Sequence, residues 1–449
     1  MNEILPMSKA LTYLLDKASK AKKDIEVLAT DKKSTGISFH NQKLDQFSFS
    51  ETHQIGIRLI DGNHEGVAFS ENLSTESLDS LLEDASTNAC MIKRDWISQL
   101  NDGSNLPQMD GIYNPELEKV SVEDKIQASK RLESLTMDYD QRITSVTASR
   151  YGDSRAQVWI ANTRGLHGTY TVNSCYGVVR CLAKDETGNV MSGEVDVQRS
   201  FKSLNIDGIA KRGAQKTLSR IGAVRPKTGK YTIVFENRVA EELLGLLASY
   251  FSAKAVDEKT SPLAGKLNQK IFSDKFSLVD DPFLTTGMGS RPFDDEGYVS
   301  QKTQLINNGV LTNYLTNSVL ARKLNLPHTK SASRSPSSDL DISASNLVVA
   351  PGTANLQTLL GSDSKVILIT DSLGHAGFRR NSGDFSLPFE GELFENGKKQ
   401  TALKDFLISG NILQVFSQIE DLGNDLLPPL GSTICPSLLI RDLNVAGQS

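Results

Sequence analysis

Histidine is scarce in this chain, and the little there is does not gather. His40, His53, His64, His167, His328 and His375 never form a close pair, so no stretch offers the two neighbouring imidazoles from which a zinc hydrolase usually builds its site. A metal site would have to be assembled from distant residues. Cysteine is equally thin. Cys90, Cys175, Cys181 and Cys435 show no CxxC spacing, which speaks against a disulfide scaffold and a zinc ribbon and leaves buried thiols as the expectation. No apolar run is long enough to span a bilayer, and the opening MNEILPM has neither a charged nor an apolar leader region, so a cytoplasmic protein is expected. An excess of one charge sign is missing too. The 49 basic and 54 acidic residues leave a net charge of -5 with no dense Lys/Arg cluster, and electrostatics gives no reason to expect nucleic acid or an anionic membrane as partner.

What is present is alternation punctuated by turns. A chain of 449 residues exceeds one simple core, so two or three domains are expected. The reading is α+β. Residues 1–225 form an N-terminal α/β domain with a mostly antiparallel sheet and a candidate subdomain break near 100–120. Residues 226–449 form a β-rich, barrel-like domain with a central helix. In the first half an amphipathic helix over 8–23 precedes short strands at 24–29, 36–40, 44–49 and 52–60, a hairpin across 57–70 that turns at Asp61-Gly62, and a helix over 74–89. Periodicity fades from 92 to 120, where 101–107 reads as a surface connection. A helix over 122–137, strands at 143–150, 156–162, 167–183 and 190–198, and a helix over 204–221 follow.

The second half is organised around 230–235, a short β-branched and aromatic strand, and the helix that leaves it. Over 237–255, Val239, Leu243, Leu244, Leu247 and Phe251 share one helical face, and Asn237 is placed to cap the first turn. Hairpins are expected at Asn308-Gly309 and Asn396-Gly397, helices over 318–324 and 411–420, and strands at 347–350, 365–370, 390–394 and 401–409. Residues 331–338 hold five serines with Arg334 and Pro336; with little to bury, they are expected to form an exposed loop.

Several motifs then stand out together: NTRGLHG at 162–168, GHAGF at 374–378, SGDFS at 382–386, FENG at 394–397, ISGN at 408–411, LGND at 422–425, and PSLL at 436–439 with VAG at 445–447. In register over nearly the whole chain, they resemble the TldD/PmbA family, the modulators of DNA gyrase described as metalloproteases. The resemblance implies an α/β first part, a β-rich second part and paired subunits. One subunit type, TldD, carries a helix with an HExxxH metal motif, and the other, PmbA (also called TldE), lacks it. This chain resembles the second. The resemblance places the two histidine positions at Gly245 and Tyr250 and the glutamate position at Leu246. It therefore implies no metal in this chain, with zinc or a similar metal in a TldD-type partner. It further implies a heterodimer with that partner or a homodimer, and an unfolded peptide as substrate. The distinctive polar residues Arg291, Asp294, His375 and Asp384 are expected to border the peptide chamber.

The chemistry explains why those positions matter. A zinc peptidase needs imidazole or thiolate ligands, an open coordination position for water, and a carboxylate to take the water's proton. Gly245, Leu246 and Tyr250 offer neither the imidazoles nor the carboxylate. Cys435 lies in the region from which the active subunit type draws a further ligand, but without histidine partners it reads first as a structural thiol. TDSLG at 370–374 has a likeness to a nucleophile elbow without its first glycine. Asp294, Asp295 and Glu296 could pair on a metal, yet beside Arg291 and Gly297 they read first as a solvated turn or local ion pair. Asp384 either caps a turn or touches substrate. The alternative to a peptidase subunit is an independent hydrolase working through residues with no recognisable motif.

Overall fold

The computed structural model describes residues 3–448 apart from 92, 94, 97, 98, 104 and 187. The first half is built on one sheet. Its strands are β1 (Asp24–His40), β2 (Lys43–Asp61), β3 (His64–Ser70), β4 (Ile143–Asn162), β5 (His167–Asp185) and β6 (Gly188–Gln198), ordered β3-β2-β1-β4-β5-β6. Every neighbouring pair is antiparallel. The strands are fewer and longer than the burial pattern predicts. Thr30 to Thr35, read as a gap between two strands, pairs on one side with Gln54 to Phe49 and on the other with Val158 to Asp153. Backbone pairing continues where burial stops, because an antiparallel sheet tolerates polar side chains on a solvated face.

Helices cover this sheet in two patches. α1 (Met7–Lys20) and α2 (Thr75–Met91) bury Leu11, Leu14, Leu78 and Leu81 against Ile25, Val27 and Ile57. α3 (Val122–Met137) and α4 (Ile206–Leu218) pack Leu132 and Ile209 onto Tyr151 and Val179 in a separate cluster. Side-chain caps fix their starts: Ser121 accepts from the Asp124 N–H and Asn205 from the Gly208 N–H. The 101–107 connection is described except for residue 104, and Leu106 N–H donates to the His167 carbonyl.

The second half closes on itself. β7 (Gly229–Phe235) runs parallel to Lys365–Ser372 and antiparallel to Leu438–Ala446; Asp384–Glu395 and Lys398–Asn411 continue the sheet, and the latter pairs back to Leu438–Ala446. The result is a closed five-stranded barrel, the barrel-like part expected, although the strand at 438–446 is not among those expected from the sequence. Closure removes the sheet's edges. A second sheet of short strands, among them Leu278–Asp280, Thr303–Asn307 and Leu347–Val349, packs beside it. Asn308 and Gly309 take φ of 45° and 80° at the tight turn the sequence announced.

α5 (Asn237–Ala248) leaves β7 directly and buries Val239, Leu243, Leu244 and Leu247 in the main core. Burial of each such side chain contributes roughly 1.5–3 kcal/mol. The helix is shorter than the 237–255 expected. After Ala248 a 3-10 turn, Ser249–Phe251, leads into Ala253–Asp257. Here Leu315 N–H donates to the Phe251 carbonyl and Ala253 N–H donates to the Leu315 carbonyl, so pairing with a neighbouring segment replaces helical hydrogen bonds. Asn237 is not the cap either. Glu236 holds that position, and the Asn237 amide donates to the Asp425 carbonyl.

Candidate functional site

Of the three positions where the family resemblance expects a metal motif, two lie at the end of α5 and the third in the 3-10 turn that follows it. Gly245 is exposed, and a Cβ built there would meet nothing within 4 Å. Leu246 is half-buried and packs against the main apolar core. Tyr250 is buried, and its hydroxyl donates to the Arg380 carbonyl at 2.6 Å. Burial pushes the phenol up to about 12, so it is neutral at ordinary pH. These residues do not fit a zinc ion: one has no side chain, one is hydrocarbon, and the third is already committed to a backbone carbonyl. Cys435 is fully buried near Glu241 and Asp425, and burial first, then those carboxylates, hold its thiol well above the usual range. That is a structural thiol, like Cys175 and Cys181; Cys90 departs from the expectation and is exposed.

One helical turn before Gly245, α5 borders a cavity of about 550 Å³ between the two halves of the chain. β5 and β6 contribute Arg180 and Glu194, α4 contributes Lys216 and the turn after it Arg220, α5 contributes Arg238 and Glu242, and the loop after the strand Lys365–Ser372 contributes Gly374 and His375. Cations of α4 and of the turn that follows it reach across to the second half. Arg220 donates to Asp371 at 2.5 Å and also pairs with Glu390, and Lys216 lies 3.9 Å from Asp371. At the rim, His375 Nε2 lies 3.2 Å from Glu242 Oε2 and 3.5 Å from Ser372 Oγ. Burial pushes the Glu242 carboxyl up, while His375 and a hydrogen bond from Ser372 oppose it.

That grouping is not a nucleophilic triad. A base must use one ring nitrogen on the serine and be held by the carboxylate through the other, but here both groups meet Nε2. No helix follows Ser372 either, since residues 373–383 form turns and loop, so the elbow reading fails on its local fold. Below the loop, Asp384 accepts from Ser382 Oγ at 2.7 Å and Asn411 Nδ2 at 2.9 Å. These bonds hold its carboxyl below the usual range and make it the fastening of a turn.

Arg291 and Asp294 stand elsewhere, in a buried charged layer joining the two halves. Of the two readings of 294–296, the solvated turn fails, because Asp294 and Glu296 are buried, while the local ion pair is present between Arg291 and Asp295, 3.9 Å apart. Asp294 accepts from the N–H groups of Glu296, Tyr298 and Ala332; Glu296 accepts from Ser318 N–H and Oγ. Burial, then the nearby Glu296, pushes the Asp294 carboxyl up. Arg291 donates to the Ala332 carbonyl, and Arg334 joins Asp295 to Glu26 of β1, which also accepts from Arg58 of β2. The serine-rich stretch is thus partly corrected as well. Ser331, Ala332 and Arg334 are buried, and only its end, Ser337 and Ser338, is exposed. Gly56 is why it can dock: a Cβ there would sit 1.9 Å from the Pro336 carbonyl oxygen. Composition favours exposure, and it could not reveal a charge partner 308 residues away.

Among the described residues, two groups of potential metal-ligand atoms lie within 4.8 Å of one another, Asp294, Glu296 and His328, and Asp31, Glu51 and His53. Neither involves α5. The first pair of carboxylates is occupied by the donors above, and the second group is flanked by Lys33 and Arg155 as ion-pair partners.

Family models describing PmbA/TldA metallopeptidases match almost the whole chain: domain 1 over residues 25–89, the central domain over 115–221 and the C-terminal domain over 228–447. Metalloprotease PmbA of Escherichia coli O157:H7 is 25% identical over 98% of this chain and 96% of its own length. A metalloprotease TldD homologue of Buchnera aphidicola subsp. Acyrthosiphon pisum is 24% identical over 91% of this chain and 89% of its own. Among solved structures, a Thermotoga maritima modulator of a DNA gyrase superposes with a TM-score of 0.91 at 27% identity, covering 98% of this chain and all of that one. TldE of Thermococcus kodakarensis gives 0.86 at 22% identity over 98% of this chain and all of that one, a likeness of fold.

Proposed function

The chain belongs to the PmbA/TldD metallopeptidase family, and from that premise we propose that it is the PmbA/TldE-type subunit of a two-subunit cytoplasmic peptidase. It shapes the peptide-binding chamber while a TldD-type partner supplies the metal. The observation that carries this reading is the ligand-free end of α5, with Gly245, Leu246 and a carbonyl-bound Tyr250, beside an open cavity of about 550 Å³. A helix in that place, stripped of ligands but still bordering a roomy cleft, suits holding a substrate better than cutting it.

The residues around the cleft suggest how a peptide is held. Lining charges of both signs, Arg180, Lys216, Arg238, Glu194 and Glu242, favour no single side-chain charge, so affinity would come mainly from main-chain hydrogen bonds to an extended segment, with loose sequence selectivity. Glu242, His375 and Ser372 at the rim can exchange hydrogen bonds with peptide amides and carbonyls. Arg291 and Asp294 hold the 331–334 segment, whose Arg334 ties the second half to Glu26 of the first, and so would act on the chamber only through its shape.

The test is elemental analysis and a peptidase assay on the purified chain, alone and mixed with a TldD-type protein. The expected result is no stoichiometric zinc and no activity alone, with activity in the mixture. One zinc per chain after dialysis, together with peptide cleavage by the chain alone, would sink the reading and favour an independent hydrolase.

A further inference from the structure

The NTRGLHG turn at 162–168 stands apart from the charged cleft and closes one end of a second cavity. Asn162 organises that turn from inside. Its Oδ1 accepts from the Arg164 and Leu166 N–H groups at 2.9 and 3.1 Å, its Nδ2 donates to the Asn101 carbonyl at 2.8 Å, and Gly165 takes a φ of 89°. The cavity measures about 600 Å³ and lies between α1 and one face of β4 and β5. Leu11 and Leu15 of α1, Leu106, Trp159 and Leu166 supply its apolar wall. Although 23% of the chain is charged, no Asp, Glu, Lys or Arg lines this cavity among the described residues. One polar group at the wall is left over. Trp159 and Thr169 are cross-strand partners and so share a sheet face, the one on which Trp159 packs against the α1 cluster. Thr169 Oγ1 is buried there with no hydrogen-bond partner among the described residues, whereas buried hydroxyls ordinarily find one.

We propose that this cavity binds a small uncharged molecule with a flat apolar body and one hydrogen-bonding group. Its volume is that of a ligand pocket, and an apolar wall with a few placed polar atoms is how such pockets are built. A charged ligand would give up its hydration with no counter-charge in the wall to replace it. The flat body packs between Trp159 and the α1 leucines, and its polar group meets Thr169 Oγ1. The occupant also touches the joint between the two halves. Ile160 and Leu166 line the cavity and belong to the small cluster that Phe293 of the second half completes, and a Cβ at Gly297 would collide with Leu166. On β5, Thr169 lines this cavity and Val178 is the first residue to line the charged cleft. Nine residues of strand, roughly 30 Å, separate them, so the inference does not depend on the peptidase reading.

Fluorescence titration of the purified chain with N-phenyl-naphthylamine, a neutral aromatic amine, tests it against anilinonaphthalene sulfonate, the same body carrying a negative charge. The expected result is saturable binding of one neutral probe per chain, with the sulfonate weaker by about tenfold or more. Thr12 is exposed on α1 and lines the cavity, so Thr12→Phe narrows the space without entering the core and should weaken the neutral probe by about tenfold. Thr169→Val keeps the shape and removes the hydroxyl, for an expected loss of about fivefold. Absence of saturable binding overturns the proposal, as does a sulfonate that binds equally well or a neutral-probe affinity that either variant leaves unchanged. Displacement of the probe by a TldD-type protein also overturns it, because the cavity would then be a docking surface for that partner. Should Thr12→Phe disturb α1 by circular dichroism, Thr169→Val alone decides.

Discussion

Two acidic clusters in this chain have similar composition and opposite construction. Asp294, Asp295 and Glu296 are interior, and their oxygens accept from backbone N–H groups and from Ser318 and the Arg334 main chain. Glu242, by contrast, stands at a cavity rim with His375 and Ser372 as its company, and Asp371 beside it is held by Lys216 of α4 and Arg220 just after that helix. The difference lies in what fills the lone pairs. Backbone donors cannot leave, so the first cluster fixes geometry; mobile side chains can exchange for a ligand, so the second can bind one. Acidic residues in a cleft suggest chemistry only after their donors have been identified.

The largest expected effect follows from breaking the interior cluster. Arg334 is buried and donates to Glu26 at 2.7 Å, and Arg334→Ala leaves that buried carboxylate with Arg58 as its remaining cation. Removing one partner of a buried ion pair costs about 3–5 kcal/mol. Urea unfolding should show a loss of about 3 kcal/mol or more, and Arg334→Lys should restore only part of it, because an ammonium cannot span Asp295 and Glu26 as the guanidinium does.

A second, pH-dependent effect separates α5's own neighbouring carboxylates. Burial pushes Glu241 up to about 7, opposed by Arg238, whereas an unfolded glutamate titrates near ~4.3. A raised folded value means the native state holds a proton the unfolded state has lost. The stabilising contribution is present in full below ~4.3 and is lost as pH rises through about 7, with a slope of at most about 1.4 kcal/mol per unit. Glu241→Gln should flatten the fall of stability between those values in thermal melts taken across that range. An unchanged profile would mean that Glu241 ionises freely.

How much of this was legible in the sequence differs between the same two clusters. The strand–helix unit at 230–248 was, because its apolar spacing and its turn are local, and so were the Asp61-Gly62 and Asn308-Gly309 hairpins, where side-chain chemistry dictates the backbone. The ligand-poor end of α5 was also legible, since a missing imidazole needs no fold to be noticed. The burial of Asp294 and Glu296 was not. It depends on Gly56 letting residues 331–338 approach β2 and on Arg334 reaching Glu26, contacts between segments hundreds of residues apart. The meeting of Glu242 with His375 was equally hidden. Strand lengths failed for another reason: periodicity reports burial, and the polar middles of β1 and β4 pair without being buried.

A smaller loss is expected from Tyr250→Phe. Its hydroxyl satisfies the Arg380 carbonyl, which the ring itself shields only in part, as Arg380 is exposed. The variant should lose about 1 kcal/mol by urea unfolding and should gain no metal. Zinc uptake on that substitution would show that the hydroxyl, and not the absence of ligands, had been keeping the site empty of function.

The smallest effect on stability, and the most informative one on function, is expected at the rim. His375 is exposed and its contact with Glu242 involves a half-open side chain, so screening by water limits His375→Ala to less than about 1 kcal/mol. Asp384→Ala removes the anchor of a turn that Ser382 and Asn411 share, and its cost should stay near 1 kcal/mol. If the rim takes part in holding peptide, His375→Ala should raise KM in the complex with a TldD-type partner while leaving kcat close to its original value, because an interaction made equally in the bound and transition states changes binding alone. Asp384→Ala, acting through the loop, should change the rate only as far as it lowers the melting temperature. A complex that keeps its stability, metal and full peptidase rate after both substitutions would remove these residues from the working surface, and the second cluster would then be, like the first, a fastening.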